Sequence, residues 1–295
     1  MEMPILLAIS ILFAVANNML LHGVKDKGLR GLGDTLFFNA LVSAVWIVIL
    51  LVMNKGFVIS AQAWQWGMAY GTVMAAFLLC KMQAMATGPV SVTSFIGCSS
   101  LLIATAFGVV YFRERVSAVQ LIGVALLLFA LFLATVGAQS KADHQAKGSR
   151  SWPLWCVLFF VCSGATGIIF KLHQSSSARN EIDGMMLAAA VTATVLFVLA
   201  SLLVQRKADR SLPRVPRSAW LFVAACGVVS CGYNRLNIRL SGALPSILFF
   251  PVFNGAVILL SSLLAAILFR EKINRRQAAG IAVGMAALVL VSGGV

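Results

Sequence analysis

Ten times along the chain a run of roughly twenty apolar residues is closed by a short polar break. Coiled as a helix, such a run crosses a hydrocarbon core about 30 Å thick. Inside that core each backbone N–H and C=O must find its partner within the protein, so isolated apolar runs have little choice but to be helices. The runs fall near 3–22, 33–53, 64–86, 88–111, 116–138, 152–173, 184–204, 217–240, 243–268 and 276–293. The longest polar interval, Gln139 to Ser151, is little more than a loop, and no extramembrane domain is expected. Only 11% of residues are charged, against about a quarter in a soluble domain. The expected fold is therefore all-α and integral to the membrane, with ten transmembrane helices.

The net charge is +14. In a soluble chain that would point to nucleic acid; here Lys and Arg sit mainly in short loops, where they orient the chain and meet anionic headgroups of the bilayer. Nucleic acid is not an expected partner. The six cysteines lie inside apolar runs without CxxC spacing, so neither a disulfide framework nor a zinc site follows. The histidines have no Cys or His partner at ligand spacing. No metal and no cofactor are expected. Met1-Glu2-Met3-Pro4 leads straight into apolar sequence without a basic stretch or a small-residue cleavage site, and the first run reads as a retained helix.

The strongest organising signal is a repeat. Phe112-Arg113-Glu114-Arg115 with Gln120 and Gly123 returns as Phe269-Arg270-Glu271-Lys272 with Gln277 and Gly280. Pro4 with Pro153, Asp34 with Asp183 and Gly88 with Gly242 are weaker echoes. The chain thus divides into a first five-helix repeat over 1–140, an inter-repeat loop at 141–151 and a second repeat over 152–295. An odd number of spans per repeat sets the second copy upside down, an architecture that suits alternating access. Two junctions, Thr87-Gly88-Pro89 and Ser241-Gly242, read as tight reversals.

The tight turn before span four, the FRE(R/K) loop before a last helix carrying Gln and Gly, and the five-plus-five duplication together resemble the EamA-like branch of the drug/metabolite transporter superfamily, over essentially the whole chain. The resemblance implies a ten-helix carrier with a central cavity lined by spans one to four and six to nine, with spans five and ten peripheral. It implies amino acids, nucleobases, sugars, phosphorylated metabolites or toxic compounds as substrates, without choosing among them. The expected setting is a multi-pass protein of the bacterial inner (plasma) membrane, working as a monomer or a dimer. Family members are thought to keep both termini in the cytoplasm, whereas the charges here argue the reverse. Loops 1–2, 5–6, 7–8 and 9–10 hold about fifteen Lys and Arg against about six in the alternate loops, which places the termini outside.

An ionisable residue inside a span is a functional candidate because charge in hydrocarbon costs several kcal/mol. Lys81 shares a helical face with Tyr70, Met74 and Phe77, and the repeat aligns Lys81 with Arg235 and Gln83 with Asn237. The plainer reading is that both cations snorkel to headgroups. Span eight carries Ser230, Asn234, Asn237 and Ser241 on one face, beside Tyr233 and a stripe of Cys231, Arg235 and Arg239. Asn17 and Asn18 in span one, Ser94 and Cys98 in span four, Thr166 in span six and Asn254 in span nine complete the substrate-facing candidates. Many such groups serve only to join helices. Gly97, Pro245 and Pro251 are gate or hinge candidates, and Pro251 should kink span nine by removing a bond to the carbonyl of Ile247.

All nine acidic residues fall in loops or at helix ends. No carboxylate is placed to titrate within a pathway, which favours exchange or facilitated diffusion over proton coupling. Asp34 and Asp183 read as helix N-terminal charges, and Glu114 and Glu271 as partners of neighbouring Arg or Lys or of the facing repeat. The expected function is a non-enzymatic secondary carrier for a small anionic or zwitterionic metabolite bearing a carboxylate or phosphate. A lipid or amphipath flippase is the alternative. An intramembrane lipid-modifying enzyme is less favoured, since no DxxD, HExxH or paired carboxylates occur.

Overall fold

The computed structural model describes residues 2–24, 27–29, 31–53, 59–136, 149–207, 212–268 and 274–293. Most of the inter-repeat loop, the second copy of the repeated loop through Ile273 with Glu271, and several loop cations (Lys25, Arg30, Lys141, Lys147, Arg210, Arg270, Lys272) lie outside the described residues. The described chain is helical without strands. Its elements are α1 (Glu2–Val24), α2 (Leu32–Met53), α3 (Ala61–Thr87), α4 (Val90–Ser99), α5 (Leu101–Tyr111), α6 (Ala118–Val136), α7 (Trp152–Ser175), α8 (Ile182–Lys207), α9 (Trp220–Ala243), α10 (Ser246–Leu268) and α11 (Arg275–Gly293). With α4 and α5 taken as one span, Val90–Tyr111, ten helices are long and apolar enough to cross a membrane. They are those of a multi-pass integral membrane protein.

One expectation about breaks is corrected. Ser241-Gly242 is not a junction: α9 continues through both to Ala243, and the reversal comes at Leu244-Pro245. An interruption that the sequence did not announce lies in span four, at Ser100, and Pro251 stands inside the continuous helix α10. Ser100 N–H turns back to the Gly97 carbonyl at 3.2 Å, a three-residue closure that tightens the helix where α4 ends. Gly88, by contrast, does sit in a turn between helices. A Cβ there would come 2.3 Å from the Trp152 indole, so the glycine is needed for close approach.

The chain forms two compact units. One comprises 1–75 and 172–239, the other 76–171 and 240–295. Each draws on both halves of the sequence, and the boundaries fall inside α3, α7 and α9. The 140/152 division describes the order of the chain; these units describe its packing.

In the first unit α2 packs along α8. The start of α2 meets the end of α8: Ser201 Oγ donates to the Gly33 carbonyl at 2.7 Å, and Gln205 Nε2 to Asp34 Oδ1 at 3.0 Å. Helix α3 presents Gly67 and Gly71, a G-x-x-x-G pair, to Met185, Ala188, Ala189 and Thr192 of α8. A methyl on either glycine would fall within 2.5 Å of an α8 backbone oxygen. With no hydrophobic force between helices in lipid, this close backbone packing is what joins them.

In the second unit the main pairing is α6 with α11. Both helices open with the same device. Ser117 N–H donates to Gln120 Oε1 (3.0 Å) while Gln120 N–H donates to Ser117 Oγ (3.2 Å). Asn274 and Gln277 repeat the exchange at 3.0 and 2.8 Å. These are capping boxes, and they give the duplicated glutamines their structural role. The duplicated glycines have one too. Gly123, early in α6, lies on Leu290 and Val291 at the end of α11; Gly280, early in α11, lies on Ala130, Leu133 and Ala134 at the end of α6. The two helices are therefore antiparallel, with equivalent glycines at the two ends of one contact. Leu101, Leu127, Leu131 and Ala287 fill the core beside it.

Candidate functional site

The substrate-facing candidates divide between the two units. In the first, the polar face of α9 is consumed by protein partners. Trp46 Nε1 donates to Ser230 Oγ at 2.8 Å. Tyr70 hydroxyl donates to Asn234 Oδ1 at 2.7 Å, and Asn234 Nδ2 returns a bond to the Ser230 carbonyl. Ser10 Oγ donates to Asn237 Oδ1 at 2.7 Å and lies 3.4 Å from the Tyr233 carbonyl. Asn234 and Asn237 are buried. The i, i+4, i+7 row read from sequence is thus a seam stitching α9 to α1, α2 and α3. Asn17 is buried, Asn18 exposed and the Tyr233 side chain half-buried.

Arg235, one residue beyond that seam, behaves differently. Its guanidinium is held in a fork: Nε to Asp183 Oδ1 at 2.6 Å and Nη2 to Asp183 Oδ2 at 2.9 Å. The Arg235 side chain is 47% exposed and that of Asp183 18%. Asp183, read as a helix N-terminal charge, also orients this cation. Two of the five guanidinium hydrogens serve Asp183, leaving donors for a ligand. The carboxylate brings the pair close to neutral, so the site offers a donor plane beside an acceptor.

In the second unit Lys81 Nζ lies 5.9 Å from the centroid of the Phe77 ring. Phe77 packs on Phe159 of α7, centroids 5.3 Å apart. Gly97 of α4 makes room for Phe159, since a Cβ would be 2.4 Å from its ring. Cys98, next along, is within electrostatic reach of Lys81. The α4–α5 break adjoins this group: Ser100 Oγ is within 2.6 Å of both the Gly97 carbonyl and Ser163 Oγ of α7. A lysine, two aromatic rings, a thiol and an interrupted helix are brought together here. Gln83, Ser94 and Thr166 are half-buried, and Thr166 bonds back to the Cys162 carbonyl at 3.3 Å. Asn254 likewise turns back to its own helix, Nδ2 to the Phe250 carbonyl at 2.9 Å. Pro245 closes the turn before α10, its carbonyl accepting from Leu248 and Phe249 N–H.

Sequence reasoning missed Asp183 as the partner of Arg235, the Ser100–Ser163 link and Trp46. Only the Ser99-Ser100 doublet in mid-span offered a signal; partners 52 and 63 residues apart leave none. Glu114, expected to pair with a neighbouring Arg or Lys or with the facing repeat, pairs with Lys171 of the second repeat at 2.7 Å. Among the described residues no group of three or more His, Cys, Asp or Glu could hold a metal ion.

No family model matches the chain, and no curated protein does. Solved structures do. One crystal structure of a protein superposes with a TM-score of 0.71 at 16% identity, over 99% of this chain and 96% of its own. The likeness is one of fold.

Proposed function

We propose that the chain is a secondary carrier of the EamA-like, drug/metabolite transporter type, built as two inverted five-helix repeats, in a bacterial inner membrane. It moves a small anionic or zwitterionic metabolite, bearing a carboxylate or phosphate, by exchange or facilitated diffusion. The inverted arrangement is supported by the antiparallel α6–α11 contact, in which Gly123 and Gly280 take reciprocal places, and by the matching capping boxes. Such repeats are a recurring basis of alternating access.

The observation that carries the substrate reading is Arg235. A half-exposed guanidinium, oriented by Asp183 and with donors unused, sits in a helix otherwise apolar enough to span. Planar donors recognise carboxylate and phosphate in two-point fashion. The negative charge of Asp183 beside it would attract an ammonium group, so a zwitterion fits as well as an anion. In the other unit Lys81, over Phe77, is a separate candidate cation.

Counterflow in proteoliposomes, with a panel of carboxylates, phosphates and amino acids, tests this. Arg235→Ala and Lys81→Ala are each expected to lower exchange of the accepted substrate about tenfold or more, the effect of losing one charge-assisted bond of about 1.5–3 kcal/mol. Transport by both variants at the wild-type rate would sink the cationic-site reading. Collapse of wild-type transport when the pH gradient is dissipated would instead show that the exchange mechanism is wrong.

A further inference from the structure

The second unit holds a buried ion pair outside the groups just described. Glu114 accepts three hydrogen bonds: from Lys171 Nζ at 2.7 Å, from the Ser246 backbone N–H at 2.6 Å and from Ser246 Oγ at 3.1 Å. Lys171 gives a further bond to the Leu244 carbonyl at 3.0 Å and lies 5.7 Å from the centroid of the Phe112 ring. The two side chains are only 10% and 13% exposed. Ser246 is the first residue of α10, so one carboxylate joins the end of α5, the end of α7 and the start of α10. Two backbone features serve that junction. Arg113 takes a left-handed φ of 53°, unusual for a side chain of its size, immediately before Glu114. Gly108 lets α10 approach α5, since a Cβ would meet Ser246 Oγ at 2.0 Å.

Downstream, Pro251 stands inside α10 and cannot donate to the Ile247 carbonyl. The piece from Ser246 to Phe250 is thus tied to the rest of α10 by one fewer backbone bond, and to its neighbours by Glu114. A segment with a weakened joint at one end and a charge clamp at the other is built to move as a piece if the clamp lets go.

We infer that Glu114, Lys171 and Ser246 form a latch that holds the first turns of α10 closed against α5 and α7, and that its release is a step of the transport cycle. This rests on the carrier reading above. Two charges out of water stay paired while their geometry is kept, and one alone is strongly disfavoured. The clamp therefore opens as a unit and only when the lysine or carboxylate meets water or another charge.

Hydrogen exchange of the full chain in lipid nanodiscs tests it. In Glu114→Ala the amides of 244–250 should exchange about tenfold faster or more, while those of α6 stay unchanged. Added acetate, a free carboxylate, should slow them again, and chloride at equal ionic strength should not. Lys171→Met should also speed exchange, without response to acetate. Unchanged exchange in Glu114→Ala, or equal effects of acetate and chloride, would overturn the latch. Glu114→Gln keeps the side-chain volume and guards against misfolding; it too should speed exchange over 244–250, and a wild-type value would count against the latch. Counterflow separates the two readings. Faster exchange with wild-type transport would remove the latch from the cycle and leave the carrier standing. Absence of transport by the wild-type chain for every substrate class would sink the carrier, and with it the cycle step, whatever the exchange shows.

Discussion

Tyr70 and Arg235 show how far a side chain's role depends on its partner. Both are polar groups in a span, but the Tyr70 hydroxyl is spent on Asn234 whereas Arg235 keeps hydrogens to offer. Tyr70→Phe should accordingly act on stability. It leaves Asn234 Oδ1 buried without that donor, a cost of about 1–3 kcal/mol, seen as a lower melting temperature in detergent. Substrate affinity should change little; a large loss of affinity with an unchanged melting temperature would return Tyr70 to the substrate pathway. Lys81, Arg235 and the asparagines were legible as candidates because charge and amide are costly in hydrocarbon. Which of them were already satisfied was not legible, since the partners of Asn237 and Ser230 lie 227 and 184 residues away. Chain separation of that order erases any local pattern.

Helices are the best-read level of this molecule. All ten spans follow from apolar length alone, because lipid imposes one solution on each run. Errors came where a helix could either continue or stop. Gly242 looked like a terminator yet stays helical, and Ser100 looked unremarkable yet separates α4 from α5. At Ser100 a tertiary bond to Ser163 accompanies the interruption, and such a bond can decide between similar local energies. The G-x-x-x-G pair of α3 marks an interface without naming the alanines of α8 that receive it. Gly71→Leu should disrupt that interface, because the nearest atom is the fixed backbone oxygen of Ala189 at 2.5 Å. Overpacking of this kind typically costs about 1–3 kcal/mol, and a melting temperature equal to wild type would show that α3 is free to move aside. Gln120→Ala, which removes one half of a capping box, should cost about 1 kcal/mol by the same measurement.

At the scale of the whole chain, charge distribution predicts what helix packing does not: which loops face the cytoplasm. A cysteine introduced by Lys141→Cys in a cysteine-free background should resist a membrane-impermeant maleimide applied from outside, since the basic loops are expected inside. Labelling from outside would place the termini in the cytoplasm and make local packing outweigh charge. The compact units were less legible than the spans. Each combines segments from both ends of the sequence, so a repeat boundary drawn along the chain says little about which helices melt or move together.

The paired glycines of α6 and α11 carry one more consequence. Gly123 fits the far end of α11 as Gly280 fits the far end of α6, so the contact is self-complementary, the kind normally made by two copies of one protein around a two-fold axis. A surface of that kind does not require its two sides to be covalently joined. Cut between residues 141 and 151 and produced as two polypeptides, the halves should find each other in the bilayer through α6 and α11, and a five-span ancestor bearing either glycine would have had the means to recognise itself.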